Sequence, residues 1–563
     1  MPGLNDLFEL KATGKTAAII GVNDRILTYE ELTKRATRMR HDLAAYDIAN
    51  FRIGVLVRQD ELNIVCLLAM AGQNTMVPIN PSYRHDKLPG LVESLGLDLI
   101  VTDAPTETDR VEVPIVVVHP DGACANLKEF QFAPSNRKTP EHVLIVPTSG
   151  STGKPKLVGY TPENLNASAH ANVSHFQLDS QDIYLCPMPL FHAHGLISIA
   201  LFTLSVGGTV VLSPASPTNI WRKFERYLPT CFSAAPTIHQ GLLRAFAGQA
   251  LPSGNLRFAR SSSAPLPYSI FDRLEALYDC KLIETYGLTE STSVVVANPL
   301  EGRKKGKVGK TIGQTEARIL TEDGLRKLGQ GELVLQGPAI VQTYVGSPHS
   351  GEDSRDAWFR TGDLVEIDED GFISVQGRLK ELVKRGGYGV SPAEVDNALC
   401  SISGVTAACT FSVPHPSLAE DLVSVVEVDA QADTDDRSVI KALMEKLVTY
   451  KVPTAIRIVD RIPRNAIGKF VRSDVREQFL GLFYPAFEPA STALEDQLIK
   501  FWEERLPVDR IGVFDNIILS GADPLLVSSL KQNEMIAGLS VPFLLRYPNV
   551  NEQAKYLQLE TAE

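Results

Sequence analysis

The chain is 563 residues long, 44% hydrophobic and 22% charged, which leaves room for about three or four domains with large cores and no default to disorder. Its net charge of −12 excludes the basic footprint of a nucleic-acid-binding protein, while leaving room for a local basic pocket that takes phosphates. The seven cysteines are scattered with no Cys-x-x-Cys pair, which argues against a zinc site or disulfide framework and for a reducing, cytoplasmic setting.

Along the chain, Met1 to Lys15 lacks the basic start and apolar core of a signal peptide. Glu30 to Ala45 has helical spacing, with Leu32, Ala36, Met39 and Leu43 on one face. Ile53 to Val57 reads as a strand and Leu62 to Ala71 as a helix. This alternation predicts α/β layers with largely parallel sheets. Val143 to Val146 reads as a buried strand, and it runs into Thr148-Ser149-Gly150-Ser151-Thr152-Gly153-Lys154-Pro155-Lys156. So many hydroxyls and free backbone N–H groups in one loop suit the wrapping of a polyphosphate. The spacing is not that of a Walker A loop: Gly150 is too close to Gly153-Lys154, and Pro155 follows the lysine.

Gly195 to Leu212 carries no charge over 18 residues, near the length of a membrane span. Gly207-Gly208 splits it and Thr209 to Leu212 is strand-like, so a buried helix, a turn and a buried strand are expected instead. From Gly331 the pattern shifts to shorter strands, Glu332 to Gln336 and Phe372 to Gln376. Gly377-Arg378-Leu379-Lys380 opens a smaller α+β unit. Phe483 to Ser491, with Pro485 and Pro489, reads as a linker, and Leu494 to Leu559 as a separate helical segment. The expected domains are residues 1–376, 377–482 and 492–563, with 483–491 between the last two.

Further motifs join the loop in chain order. They are Leu27-Thr28-Tyr29-Glu30-Glu31-Leu32, Pro189-Leu190-Phe191-His192-Ala193-His194-Gly195, Ser263-Ala264-Pro265-Leu266 and Glu284-Thr285-Tyr286-Gly287-Leu288-Thr289-Glu290. Trp358-Phe359-Arg360-Thr361-Gly362-Asp363-Leu364, Gly377-Arg378-Leu379-Lys380-Glu381 with Arg385-Gly386-Gly387, and Pro463 to Lys469 complete the set. In this order they resemble the adenylate-forming superfamily of acyl-CoA synthetases, luciferases and peptide-synthetase adenylation domains, over roughly residues 10 to 480. The resemblance implies a large multi-layer α/β N-terminal domain and a small mobile α+β C-terminal subdomain.

It also implies a chemistry: a carboxylate attacks the α-phosphate of ATP, giving an acyl-adenylate and pyrophosphate. That is mostly positioning and charge neutralisation. By resemblance, Thr148, Ser149, Gly150, Ser151, Thr152, Gly153 and Lys156 hold the β- and γ-phosphates. Thr289 contacts the α-phosphate and Glu290 holds Mg²⁺, a hard cation suited to a carboxylate plus phosphate oxygens. Thr285 belongs to the same motif, and Tyr286 stacks on adenine beside the backbone of Ser263, Ala264 and Pro265. Asp363 takes the ribose diol with help from Arg378. Lys469 offsets the charge repulsion of the first half-reaction, and Lys380 is the hinge about which the C-terminal unit turns for thioester formation.

Peptide-synthetase domains place Asp after the Phe of the Phe191 motif to bind an α-amino group; here His192 follows, which argues against α-amino acids and implies an acyl-CoA or aryl-CoA ligase with His192 gating its pocket. The motifs look closest to the oxalate- and 4-coumarate-CoA ligase branches. Oxalate-type enzymes use a His shortly after the Thr-Glu pair; Ser293 near that position argues against oxalate. Ile511 to Asn516 and Leu519 to Leu525 resemble a carrier domain, but Pro524 stands where its phosphopantetheine-bearing Ser would be, so no attachment is expected. The expected partners are a small organic acid and coenzyme A, with no nucleic acid and no membrane. Transfer to a separate carrier protein or an amine, as in a peptide-synthetase-like enzyme, and a non-catalytic scaffold are the alternatives.

Overall fold

The computed structural model describes residues 14, 16–83, 87–105, 108, 111–125, 141–148, 156–246, 248–251, 255–266, 270–346, 358–429, 432, 434–464, 470–530, 536 and 539–560. Two compact units emerge, one of residues 1–266, 270–361 and 366–375, the other of residues 267–269, 362–365 and 376–563.

The Leu27 to Leu32 motif proves to be a helix start. Thr28 Oγ1 accepts the Glu31 N–H at 3.2 Å, and Glu31 Oε2 accepts the Thr28 N–H at 3.0 Å. This reciprocal capping box satisfies two donors that a helix N-terminus leaves bare. The helix, Tyr29–Ala44, buries Leu32, Ala36, Met39 and Leu43, the face read from the spacing. Tyr29 locks it down by donating its hydroxyl to Gly208 O at 2.6 Å.

The largest sheet of the first unit holds nine strands: β1 (Ala17–Ile20), β2 (Ile26–Thr28), β3 (Ile183–Cys186), β4 (Thr209–Leu212), β5 (Cys231–Ala234), β6 (Phe258–Ser261), β7 (Lys281–Gly287), β8 (Val294–Ala297) and β9 (Lys310–Thr311). Their spatial order is β9-β8-β7-β6-β5-β3-β4-β1-β2. The interior pairings from β7 to β1 are parallel, and the flanking ones antiparallel. The interior strands are apolar because helices cover both faces of a parallel sheet. After β3 the chain passes to β4 on one side, then returns to β5 on the other. Such a reversal leaves a crevice at the carboxyl ends of the strands, the usual ligand site of an open parallel sheet.

A second sheet of seven strands runs in the order Cys124–Ala125, Ile115–Val118, Leu99–Thr102, Arg52–Leu56, Thr75–Pro78, Leu144–Thr148 and Lys156–Tyr160. The uncharged stretch folds as its sequence predicts. His194–Leu201 is a π-helix, Phe202–Ser205 continues it as α, and β4 follows the Gly207-Gly208 turn. Among the described residues no helix is long and apolar enough to cross a membrane. A five-stranded sheet follows, its last two strands, Phe359–Ile367 and Ile373–Arg378, carrying the chain from the first unit into the second.

In the second unit, the strands Val405–His415 and Ala419–Val428 form a long antiparallel pair, with Ala455–Ile458 parallel to the latter. The sequence sets residues 492–563 apart as a domain; the structure merges them into this unit. One buried cluster runs from Leu399, Leu422 and Ile456 to Trp502, Ile517 and Leu544. His415 Nε2 meets Ile518 O at 2.7 Å, and Ser417 donates to Gly521 O at 3.3 Å. The helical pattern showed an apolar face on each C-terminal helix, but not which surface covers it. Pro524 opens the short helix Pro524–Ser529, capped by Asp523, where a missing N–H costs nothing.

Candidate active site

Four of the loops singled out by sequence leave the carboxyl ends of neighbouring strands. The His192 motif follows β3, Ser263-Ala264-Pro265 follows β6, and Thr289-Glu290 follows β7. Thr148 and Lys156 sit at facing ends of the antiparallel pair Leu144–Thr148 and Lys156–Tyr160, so the seven residues between them are held as a loop by the ladder on either side. Ser149, Gly150, Ser151, Thr152 and Gly153 lie outside the described residues, as does Lys469.

Glu290 is fixed by contacts that come from distant segments. Tyr344 donates its hydroxyl to Glu290 Oε1 at 2.7 Å, and the Val341 N–H bonds Glu290 O at 2.7 Å. Tyr160 donates to Thr289 O at 2.8 Å. Lys156 Nζ lies 4.4 Å from the centroid of the Tyr344 ring, a cation–π distance. Lys156, Tyr344, Glu290 and Thr289 are thus one cluster, with a cation and a carboxylate on either side of a phenol. Burial first, then the Glu290 carboxylate, pushes the Tyr344 hydroxyl above its ordinary pKa, so it stays a donor. No sequence signal marked Tyr344; it arrives through an isolated bridge to Val158.

The backbone around Glu290 is close-packed. A Cβ on Gly287 would lie 2.2 Å from Ser293 O, so only glycine fits before this turn. Ser293 is buried and its hydroxyl finds no partner among the described residues. Thr285 is buried and donates to Ser261 O at 3.3 Å. Tyr286 is half-buried at the end of β7, and Ser263 is exposed with φ 75°. Among the described residues no cluster of three or more His, Cys, Asp or Glu side chains could hold a metal alone. A divalent cation at Glu290 therefore fits only as part of a nucleotide complex, whose phosphate oxygens fill its coordination.

His192 stacks on Phe191 with ring centroids 4.6 Å apart, and burial pushes its pKa down to about 4, so it is neutral at physiological pH. Its neighbour His194, to which the sequence gave no role, is the more connected of the two. Its Nδ1 lies 3.0 Å from Ser263 Oγ and its Nε2 2.8 Å from Ser233 Oγ. In the second unit, Asp363 is 3% exposed and accepts from Arg378 Nε at 3.0 Å. Lys380 is exposed on the turn Leu379–Glu381, a few residues past the start of the second unit at Gln376.

The family model for AMP-binding enzymes matches residues 9–345, and that for their C-terminal domain matches residues 394–469. The chain is an AMP-binding enzyme. This AMP-binding enzyme is similar to an oxalate–CoA ligase of Arabidopsis thaliana, 34% identical over 68% of this chain and 73% of the relative. It is also similar to a sulfoacetate–CoA ligase of Cupriavidus necator, 36% identical over 64% of this chain and 73% of that one. Among solved structures, ATP-bound MatB from Rhodopseudomonas palustris superposes with a TM-score of 0.76 at 26% identity, covering 85% of this enzyme and 99% of MatB.

Proposed function

We propose that this AMP-binding enzyme is an acid–thiol ligase that activates a short carboxylic acid, not an α-amino acid, and passes its acyl group to coenzyme A. The acid's carboxylate oxygen attacks the α-phosphorus of ATP, the bond to the bridging oxygen breaks, and pyrophosphate leaves. The thiol sulfur of coenzyme A then attacks the acyl carbon; AMP leaves and the thiol proton passes to solvent. The observation that carries this reading is the Lys156–Tyr344–Glu290 cluster beside the Thr148 to Lys156 loop, a charge arrangement built for a nucleotide's phosphates with their cation.

Each residue has a task. Lys156 and the loop hold the outer phosphates, and Thr289 meets the α-phosphate. Glu290, oriented by Tyr344, takes a Mg²⁺ that neutralises the triphosphate. Tyr286 and the Ser263 to Pro265 backbone take the adenine, and Asp363 with Arg378 takes the ribose diol. Neutral His192 lines the acyl entrance without offering the carboxylate that an α-ammonium would need. Lys469 bridges the two anions in the first step, and Lys380 is the pivot between steps. Pro524 has no hydroxyl, so the enzyme carries no phosphopantetheine of its own.

The test is pyrophosphate release against a panel of organic acids, with and without coenzyme A. Release that rises with coenzyme A for one acid, with a thioester identified by mass, is the expected result; release without thioester refutes the acceptor. Replacing Lys469→Ala is expected to abolish adenylate formation far more than thioester formation from preformed adenylate. Equal loss in both steps refutes its role.

A further inference from the structure

Arg260 is a cation in an apolar place. It lies on β6 with 1% exposure, its guanidinium 5.3 Å from the Phe176 ring centroid and 6.0 Å from that of Tyr184. Among the described residues no carboxylate pairs with it. A buried charge without a counter-ion is costly, and such groups are retained where something else answers them. What answers Arg260 is a line of hydroxyls and one imidazole that leads out to the crevice between β3 and β5.

The line has a direction. Arg260 donates from Nε to Ser233 Oγ at 2.8 Å and from Nη2 to Ser198 Oγ at 2.9 Å. Ser233 is fully buried. Its own proton has one described acceptor within reach, His194 Nε2 at 2.8 Å. Were His194 to donate there instead, Ser233 would take two N–H groups and strand its proton in a dry site. His194 is held neutral by burial, by Arg260, and by the neighbouring His239 and His192. Its remaining proton therefore sits on Nδ1 and points to Ser263 Oγ at 3.0 Å. Ser263, exposed at the end of the line, keeps its hydroxyl proton free to donate outward. Each bond polarises the next, so the positive charge of Arg260 is felt at Ser263.

The π-helix His194–Leu201 makes the line geometrically feasible. It presents His194 and Ser198, four residues apart, to Ser233 and Arg260 from the same side of the crevice. Gly195 permits the tight turn into it, since a Cβ there would lie 2.5 Å from Pro189 O.

We propose that the relay Arg260–Ser233–His194–Ser263 recognises a second anionic or acceptor group on the acid substrate, so that the enzyme selects short acids carrying a distal carboxylate or sulfonate over plain monocarboxylates. This rests on the acid–CoA ligase reading. Ser263 touches the ligand; Ser233, His194 and Arg260 are positioning residues that set the polarity of its donor.

The test compares malonate with propionate, which differ by the distal anion, in thioester formation with saturating ATP and coenzyme A. The wild-type enzyme is expected to favour malonate in kcat/KM. Ser233→Ala, which removes one hydroxyl from a small buried site, is expected to lower the malonate-to-propionate ratio about tenfold, with the change in the malonate KM and not in the ATP KM. Arg260→Lys, which keeps the charge but not the fork, is expected to lower it as well. A wild-type preference for propionate, or a Ser233→Ala enzyme that loses both activities equally and keeps the ratio, overturns the relay while leaving the ligase reading standing. Turnover of neither acid nor any other refutes the ligase reading instead. The relay is then decided by thermal shift: stabilisation by malonate but not propionate in the presence of ATP supports it, and equal response to both overturns it.

Discussion

Replacing Tyr344→Phe removes one hydrogen bond and nothing else from the candidate site. The hydroxyl lies 2.7 Å from Glu290 Oε1, and the ring that Lys156 approaches at 4.4 Å is retained. A hydrogen bond to a charged group contributes about 1.5–3 kcal/mol when buried. Tyr344 is half-buried, so the lower end applies, and about 1.4 kcal/mol corresponds to a tenfold change. Without the bond, the Glu290 carboxylate loses its fixed orientation toward the cation. The Mg²⁺ concentration giving half-maximal pyrophosphate release is therefore expected to rise about tenfold. Because the phenol's pKa is raised, the effect should be flat across the working pH range. The assay is coupled pyrophosphate release at fixed ATP and acid over a Mg²⁺ series, with circular dichroism to confirm the fold. A Mg²⁺ curve identical to that of the wild-type enzyme would refute Glu290 as the cation's carboxylate, or Tyr344 as its positioner.

Glu284 gives a stability prediction with a definite sign. Burial pushes its carboxyl up to about 7, against about 4.3 in an unfolded chain. The folded state binds the proton more tightly, so stability falls as pH rises between those values, by at most about 1.4 kcal/mol per pH unit. Glu284→Gln is expected to flatten this slope in urea-unfolding midpoints, and an unchanged slope refutes it. Trp502 is fully buried and donates to Gln553 Oε1 at 2.8 Å; Trp502→Ala should destabilise the second unit by about 3–5 kcal/mol, read by the same unfolding assay. Arg385 meets Asp421 at 2.8 Å in a buried pair. Arg385→Met should cost about 3–5 kcal/mol by stranding the carboxylate, and adding Asp421→Leu should recover part of it.

Much of this was legible in the sequence because its signals are local. The period of Leu32, Ala36, Met39 and Leu43 names one face of one helix, and that face is buried. The break at Gly207-Gly208 told a buried helix and strand from a membrane span. The motif set, each motif placed after a strand, was enough to identify the family. What stayed hidden depends on sequence-distant approach. Tyr344 is 54 residues from Glu290, and His194 reaches Ser233 and Ser263 across 39 and 69 residues. The sequence drew attention to His192 in its motif; the hydrogen bonds draw it to His194. Amphipathic spacing likewise revealed the apolar faces of the C-terminal helices but not that Leu422 and Ile456 cover them.

The shared core of residues 376–563 has a consequence for how this chain can be taken apart. Residues 484–491 look like a tether, with Tyr484 and Phe487 near half exposed, yet a protease that cut there would not liberate a folded module. Each fragment would be left with half of a dry interface, Trp502 and Leu544 on one side, Leu399 and Ile456 on the other. A carrier-like segment held this way cannot swing on a leash between stations. It is freight bolted to the unit beneath it, and deleting it exposes the bolts.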